Sequence, residues 1–117
     1  MRFLMYTIGD DSIPIPPPTP EEMAKMGKFM DEAIKSGALL ATGAMGPTAQ
    51  GLTVRYYDGK FTVEEGPYAG SKELIGGWAL VNVASKEEAI EWARRFLQLI
   101  GRGESRIRQV SMPDEPR

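Results

Sequence analysis

The stretch EGPYAGSKELIGGW, residues 65–78, joins a predicted β-hairpin to an apolar strand predicted over residues 75–83. It places charged and aromatic side chains among four glycines and one proline. Glycines allow a backbone to come close to a ligand and to expose its N–H groups. The segment is therefore both a connection between two strands and the first candidate for a binding site.

The hairpin before this segment is predicted from residues 52–57 and 60–65, which flank Asp58-Gly59. Asp-Gly is a preferred dipeptide of the two-residue type I′ turn, and the turn fixes the register. One face of the hairpin is then apolar and the other polar, with Arg55 diagonally near Glu64. The predicted cross-strand pairs are Val54 with Val63, Tyr56 with Phe61, and Arg55 with Thr62.

Two helices are predicted from their capping signals. The first begins at Thr19-Pro20-Glu21-Glu22, a capping box with proline at the first helical position, and ends at Gly37. A second capping box opens at Ser85, and Gly101 ends that helix. The apolar positions at helical spacing are Met23, Met26, Met30, Ala33 and Ile34 in the first helix and Ala89, Ala93, Phe96, Leu97 and Ile100 in the second.

Further strands are predicted over residues 2–8, 38–44 and 105–112. The full order is strand, helix, strand, hairpin, strand, helix, strand. It matches an α+β, ferredoxin-like (split βαβ) fold with an extra β-hairpin, in a single domain over residues 1–117. Helices on one sheet face leave the other uncovered, yet the strand at residues 2–8 is apolar on both faces. We therefore expect a homodimer in which a second copy covers the open face.

The chain of 117 residues contains neither cysteine nor histidine. Disulfides, thiolate nucleophiles, Ser-His-Asp triads and metal sites built on sulfur or imidazole are therefore excluded, and no metal or cofactor is predicted. The net charge of −2 argues against nucleic-acid binding. Residues 1–5 are too short for a signal peptide or a membrane span, so we expect a cytoplasmic protein that does not bind membranes.

Several segments, in their order and spacing, resemble one known family. They are Gly9-Asp10, Thr19-Pro20-Glu21-Glu22-Met23, Asp58-Gly59-Lys60, Glu65-Gly66-Pro67-Tyr68, Lys72-Glu73, Gly76-Gly77-Trp78 and Glu88-Ala89-Ile90-Glu91-Trp92-Ala93. Together they resemble the YCII-related family, in the branch named for an Asp-Gly-Pro-Phe (DGPF) motif, over nearly the whole chain. The resemblance implies a dimeric α+β barrel, in which the sheets of two ferredoxin-like subunits pack face to face.

The resemblance places the signature of this branch on Glu65-Gly66-Pro67-Tyr68 and then on Lys72-Glu73. This chain departs from the pattern, because Glu65 stands for Asp, Tyr68 stands for Phe, and Gly70 stands where an acidic residue is usual. Enzymes of the wider family use a His-Asp pair, which a chain without histidine cannot form. For the branch itself the resemblance implies no settled reaction, but its members are often encoded beside alternative sigma factors.

The candidate site residues lie on strands and in the loops beside them. Asp10, Tyr68 and Lys72 are the acid–base candidates, since a lysine can bind an anion or act as a base and a tyrosine can donate to an oxyanion. Tyr6 and Trp78 could line an aromatic cleft. The structural alternative is that these side chains fill the core, staple the loop or cap a turn. The ligand-binding candidates are Tyr6, Asp10, Arg55, Glu65, Tyr68, Lys72, Glu73 and Trp78.

Three functions fit these residues. The first is binding of a small aromatic or carboxylic metabolite in a cleft, with weak His-independent acid–base or lyase-type activity as its extension. The second is a non-enzymatic interaction module linked to sigma-factor-dependent transcription regulation, and the third is a structural dimer without a ligand. The protein surface proposed for the second function is the arginine cluster of Arg94, Arg95, Arg102, Arg106 and Arg108, which in the simpler interpretation is a solvated helix end and an edge strand.

Overall fold

A computed structural model describes residues 1–9, 18–46, 48–66 and 74–113. It confirms the predicted order of elements, and both hairpin strands have the predicted bounds. The last strand is shorter than predicted and ends at Gln109, although the Val110 N–H still donates to the Arg2 carbonyl at 2.8 Å. The elements are β1 (Arg2–Gly9), α1 (Pro20–Lys35), β2 (Leu39–Ala44), β3 (Leu52–Tyr57), β4 (Lys60–Glu65), β5 (Leu74–Asn82), α2 (Lys86–Ile100) and β6 (Glu104–Gln109), with a 3-10 turn at Thr48–Gln50.

The fold is α+β. Four strands form an antiparallel sheet in the order β2-β5-β1-β6, and β3 and β4 form a separate two-stranded sheet. Two β-strand–helix–β-strand units that share one sheet in this order are compatible with the ferredoxin-like arrangement. The hairpin is thus an insertion between the two neighbouring strands β2 and β5.

The hairpin register predicted from Asp58-Gly59 is confirmed. Tyr56 pairs with Phe61, Val54 with Val63, and Arg55 with Thr62. Both turn residues have positive φ, 54° at Asp58 and 76° at Gly59, as a type I′ turn requires. The side chains therefore alternate between an apolar and a polar face along both strands.

Both helices begin at the predicted caps. The Thr19 hydroxyl accepts from the Glu22 N–H at 3.1 Å, and the Ser85 hydroxyl accepts from the Glu88 N–H at 3.2 Å. The Glu88 carboxylate accepts from the Ala84 N–H at 3.0 Å, one residue before the cap, so the reciprocal bond of this capping box is displaced by one position. The cap side chains satisfy N–H groups that have no partner inside the helix.

The core lies between the two helices and one face of the four-stranded sheet. From the sheet, Phe3, Met5 and Val81 are buried, and from α2, Ala89 and Ala93 are buried. Ala89 has no exposed surface at all. Because alanine is short, the backbone of α2 comes close to the sheet at these two positions.

The predicted apolar stripe of α1 is only partly buried. Met26, Met30 and Ala33 face the sheet, but Met23 and Ile34 are 61% and 58% exposed, so the prediction is wrong for these two residues. At 100° per residue, both lie at the edge of the stripe, and each is close to one end of the helix. The sheet does not reach far enough to cover them.

A β-bulge interrupts the pairing of β1 with β5. Tyr6 pairs with Trp78, but Ile8 pairs with Ile75, so one extra residue of β5 lies between these two pairs. The Thr7 hydroxyl accepts from the Gly77 N–H at 2.9 Å. A Cβ atom on Gly76 would lie 2.9 Å from the same hydroxyl oxygen, which explains the small residue there. Thr7 therefore fixes the first residues of β5.

Replacing Thr7 with valine should lower the free energy of unfolding by about 1–3 kcal/mol, because the Gly77 N–H loses its acceptor in a half-buried place. Urea denaturation measures the change. Thr7→Ser is the matched control, since it keeps the hydroxyl, and it should restore most of the loss. Equal stability of the valine and serine variants would show that the hydroxyl does not hold the bulge.

Candidate functional site

An apolar cavity of about 280 Å³ lies between the helices and the sheet. Met5, Thr7 and Ala79 belong to its sheet side, and Thr42 lines it from β2. Its helix side consists of Met26, Phe29, Met30, Ala33, Trp92 and Phe96. Ligand pockets are commonly concave and apolar in this way, so this cavity is the candidate site.

Three aromatic rings join α1 to α2 at this cavity. Phe29 meets Trp92 edge to face, with ring centroids 5.8 Å apart, and lies 6.3 Å from Phe96. The Arg95 guanidinium lies 4.7 Å from the Trp92 ring centroid and 5.3 Å from that of Phe29, and it pairs with Glu32. These cation–π and ion-pair contacts orient the rings that form the helix side.

The two threonine hydroxyls of the cavity wall are already engaged. Thr7 binds the Gly77 backbone, and the Thr42 hydroxyl donates to the Trp78 carbonyl at 2.8 Å. Among the described residues, no carboxylate, lysine or arginine lines the cavity. A buried carboxylate without a partner is costly, whereas an aromatic ring suits such a wall. The described part of the cavity therefore favours an apolar, aromatic group.

Tyr6 and Trp78 are neighbours, as the sequence predicted, because they pair directly between β1 and β5. Both border the cavity. Side chains alternate along a strand, so both rings lie on the sheet face opposite the helices, together with Leu4 and Leu80. The indole of Trp78 lies against Gly43, where an added Cβ atom would be 2.9 Å from three indole atoms.

Arg55 and Glu65 lie on the hairpin and do not line the cavity. Arg55 pairs with Glu64 at 2.7 Å, which confirms the predicted diagonal contact. Glu65 is exposed at the end of β4, opposite Leu52. The structure thus separates these two candidates from Tyr6 and Trp78.

The other predicted site residues, Asp10, Tyr68, Lys72 and Glu73, lie outside the described residues. Their roles stay predictions. In turn, sequence reasoning missed Phe29 and Trp92 as site residues and assigned Phe96 to the core. The signal in the sequence was a set of three aromatic residues on two helices that face the same sheet. In α2 these rings lie next to the buried alanines Ala89 and Ala93.

The arginine cluster does not form one continuous patch. Arg95 packs against α1, and Arg94 pairs with Glu91 on the surface of α2 at 3.5 Å. Arg106 and Arg108 pair with Tyr6 and Leu4 in the sheet, so their side chains lie on the face away from the helices. A protein partner at these arginines stays a prediction. Such a partner would have to contact more than one face of this chain to reach all of them.

In the part of the chain that the structure describes, no group of three or more acidic, cysteine or histidine residues is arranged to hold a metal ion. No helix in the described ranges is long and apolar enough to cross a membrane.

Residues 1–110 match the YCII-related domain. The chain belongs to the YCII-related family. This confirms the family resemblance found in the sequence, while the DGPF branch stays a prediction. An uncharacterised protein of Rhizobium meliloti (strain 1021) is 34% identical over 72 residues, which cover 62% of this YCII-related chain and 58% of that protein. The match thus spans little more than half the length of this curated relative.

Replacing Gly43 with alanine should push the Trp78 indole away from β2, because the new Cβ atom would lie 2.9 Å from it. In a Trp92→Phe background, where Trp78 alone reports, fluorescence emission should move to longer wavelength. The free energy of unfolding should fall by about 1–3 kcal/mol.

Gly27→Ala is the control for this substitution, since a Cβ atom at that position of α1 would have no atom within 4 Å apart from the adjacent residues and the backbone of its own helix. It should raise stability by up to about 1 kcal/mol, as alanine is the better helix former. Unchanged Trp78 emission in the Gly43→Ala variant would contradict the assigned contact.

Proposed function

We propose that this YCII-related protein binds a small aromatic metabolite in the cavity between its helices and its sheet. The observation that carries the proposal is the apolar lining of this cavity of about 280 Å³, which has Phe29, Trp92 and Phe96 on its helix side. The engaged hydroxyls of Thr7 and Thr42 support an aromatic ligand over a carboxylic one. Methionines fill the remaining wall and can adapt to the outline of a flat ring.

An acid–base or lyase-type step on this ligand would depend on Asp10, Tyr68 or Lys72. The described cavity wall holds no carboxylate or amine, so such a group would have to come from Asp10, which follows β1, or from Lys72, which precedes β5. We therefore propose binding as the primary function and place any such chemistry on these three residues.

The proposed functional unit is a cytoplasmic homodimer with a dimeric α+β barrel fold. Its support is the sheet face opposite the helices, where Leu4, Tyr6, Ile8, Trp78 and Leu80 lie side by side on the two central strands. A large apolar patch on a sheet face is typical of an interaction surface. Packing two such faces together would bury both.

Titration with naphthol, followed by its own fluorescence, tests the binding site. Ala33 is 4% exposed and lines the cavity, so Ala33→Met should fill part of it and weaken binding at least about tenfold. Ala24→Met places the same side chain on the exposed side of α1 and should leave affinity unchanged. Circular dichroism establishes that both variants are folded.

Naphthoate is the second probe. It should bind about tenfold or more weakly than naphthol, because its carboxylate would lack a partner in the described wall. Equal affinity of the parent and the Ala33→Met variant for naphthol would remove this cavity as the site. Tighter binding of naphthoate would instead assign the ligand to the carboxylic class.

Light scattering coupled to gel filtration tests the dimer, with an expected mass of twice the 12.9 kDa chain. Leu80→Glu should shift the protein towards the monomer, because it puts a charge on the open sheet face. Ile90→Glu is the control on α2, where the residue is 46% exposed, and it should stay dimeric. A monomer at micromolar concentration in the parent protein would refute the dimer.

A further inference from the structure

One face of the β3–β4 hairpin is apolar and uncovered. Leu52, Val54, Tyr56, Phe61 and Val63 share this face, and each is between 59% and 72% exposed. Tyr56 and Phe61 contact each other across the strands, with ring centroids 4.6 Å apart. Such an exposed apolar face is unusual on a strand pair that stands alone in water.

The sequence of the hairpin has the pattern of a half-buried sheet. Its other face holds Thr53, Arg55, Thr62 and Glu64, and Arg55 and Glu64 form an ion pair at 2.7 Å. Alternation of apolar and polar side chains, broken here only at the strand ends by Tyr57 and Glu65, is typical of strands with one face on a core and one in water. Within the described chain, no helix or strand supplies that core, since β3 and β4 have extensive contacts only with each other.

The hairpin leaves the four-stranded sheet at the end of the β2–β5 ladder. The Met45 N–H donates to the Gly76 carbonyl at 2.9 Å and closes that ladder. The Gly66 N–H then donates to the Gly51 carbonyl at 3.0 Å and opens the hairpin ladder. Residues 46–51 thus connect the end of the β2–β5 ladder to the start of the hairpin ladder.

The apolar area of this hairpin face can be compared with the area that a protein interface buries. Five side chains exposed to this degree present on the order of 500 Å², close to the largest apolar patch of an ordinary monomer. A standard interface buries roughly 800 Å² on each partner. The apolar side chains of the open sheet face are more buried within one chain than those of the hairpin, so the hairpin offers more apolar area per side chain.

We infer that the hairpin is a dimerisation arm whose apolar face packs on a second copy of this chain. This inference rests on the proposed homodimer. It adds an element that supplies further apolar area to the dimer interface. In a twofold dimer the arm of each copy packs on the other copy, so the area buried by the arm occurs twice in the interface. The polar face with Arg55 and Glu64 then stays in water.

Thiol labelling tests the arm directly, because the chain has no cysteine of its own. Val63→Cys puts a thiol on the apolar face, and Thr62→Cys puts one on the polar face of the same strand. At concentrations where the protein is dimeric, maleimide should label the Val63→Cys variant at least tenfold more slowly than the Thr62→Cys variant. Dilution to the monomer should abolish the difference.

A second pair of variants measures affinity. The double variant Val54→Glu with Val63→Glu should raise the dimer dissociation constant at least a hundredfold. The double variant Thr53→Glu with Thr62→Glu adds the same charge to the polar face and should change it less than threefold. Labelling still decides the question if the first double variant unfolds.

The outcomes separate the arm from the dimer. A parent protein that is monomeric at every concentration overturns both proposals. A dimer in which the Val63→Cys thiol reacts as fast as the Thr62→Cys thiol overturns the arm alone and leaves its face free for another partner. Protection that persists in the monomer also overturns the arm, since the face would then pack on its own chain.

Discussion

The constraint on which the structure depends is that two helices cover only one face of a four-stranded sheet. The central strands β1 and β5 are apolar on both faces, so burying Phe3 and Val81 under the helices leaves Leu4 and Leu80 on the other side. The covered face holds the core and the cavity, and the open face leaves apolar side chains without a second layer in the described chain. The proposed ligand site and the proposed dimer interface therefore belong to opposite sides of the same sheet.

The cavity lies where small and large side chains of the helices meet the sheet. At Ala89 and Ala93 the backbone of α2 comes close to the sheet. The rings of Trp92 and Phe96 alternate with these alanines along α2 and contact Phe29 of α1. Rigid rings leave space that a flexible aliphatic side chain would fill.

Local rules predicted much of this fold from the sequence. The Asp58-Gly59 turn fixed the hairpin register, the caps fixed both helix starts, and strand order brought Tyr6 next to Trp78. The cavity escaped prediction because its volume depends on side-chain sizes on several elements and on the distances between them. The exposure of Met23 had the same origin, since helical spacing alone does not reveal where the sheet ends.

The two edge strands of the sheet, β2 and β6, differ in how readily they can pair with a strand of another chain. Unpaired N–H and C=O groups on an edge strand can accept a foreign strand, and charged side chains discourage this. The β6 edge carries Glu104, Arg106 and Arg108. The β2 edge, with the sequence LLATGA, carries no charge at all. Aggregation by strand addition should therefore begin at β2, beside the place where the hairpin leaves the sheet.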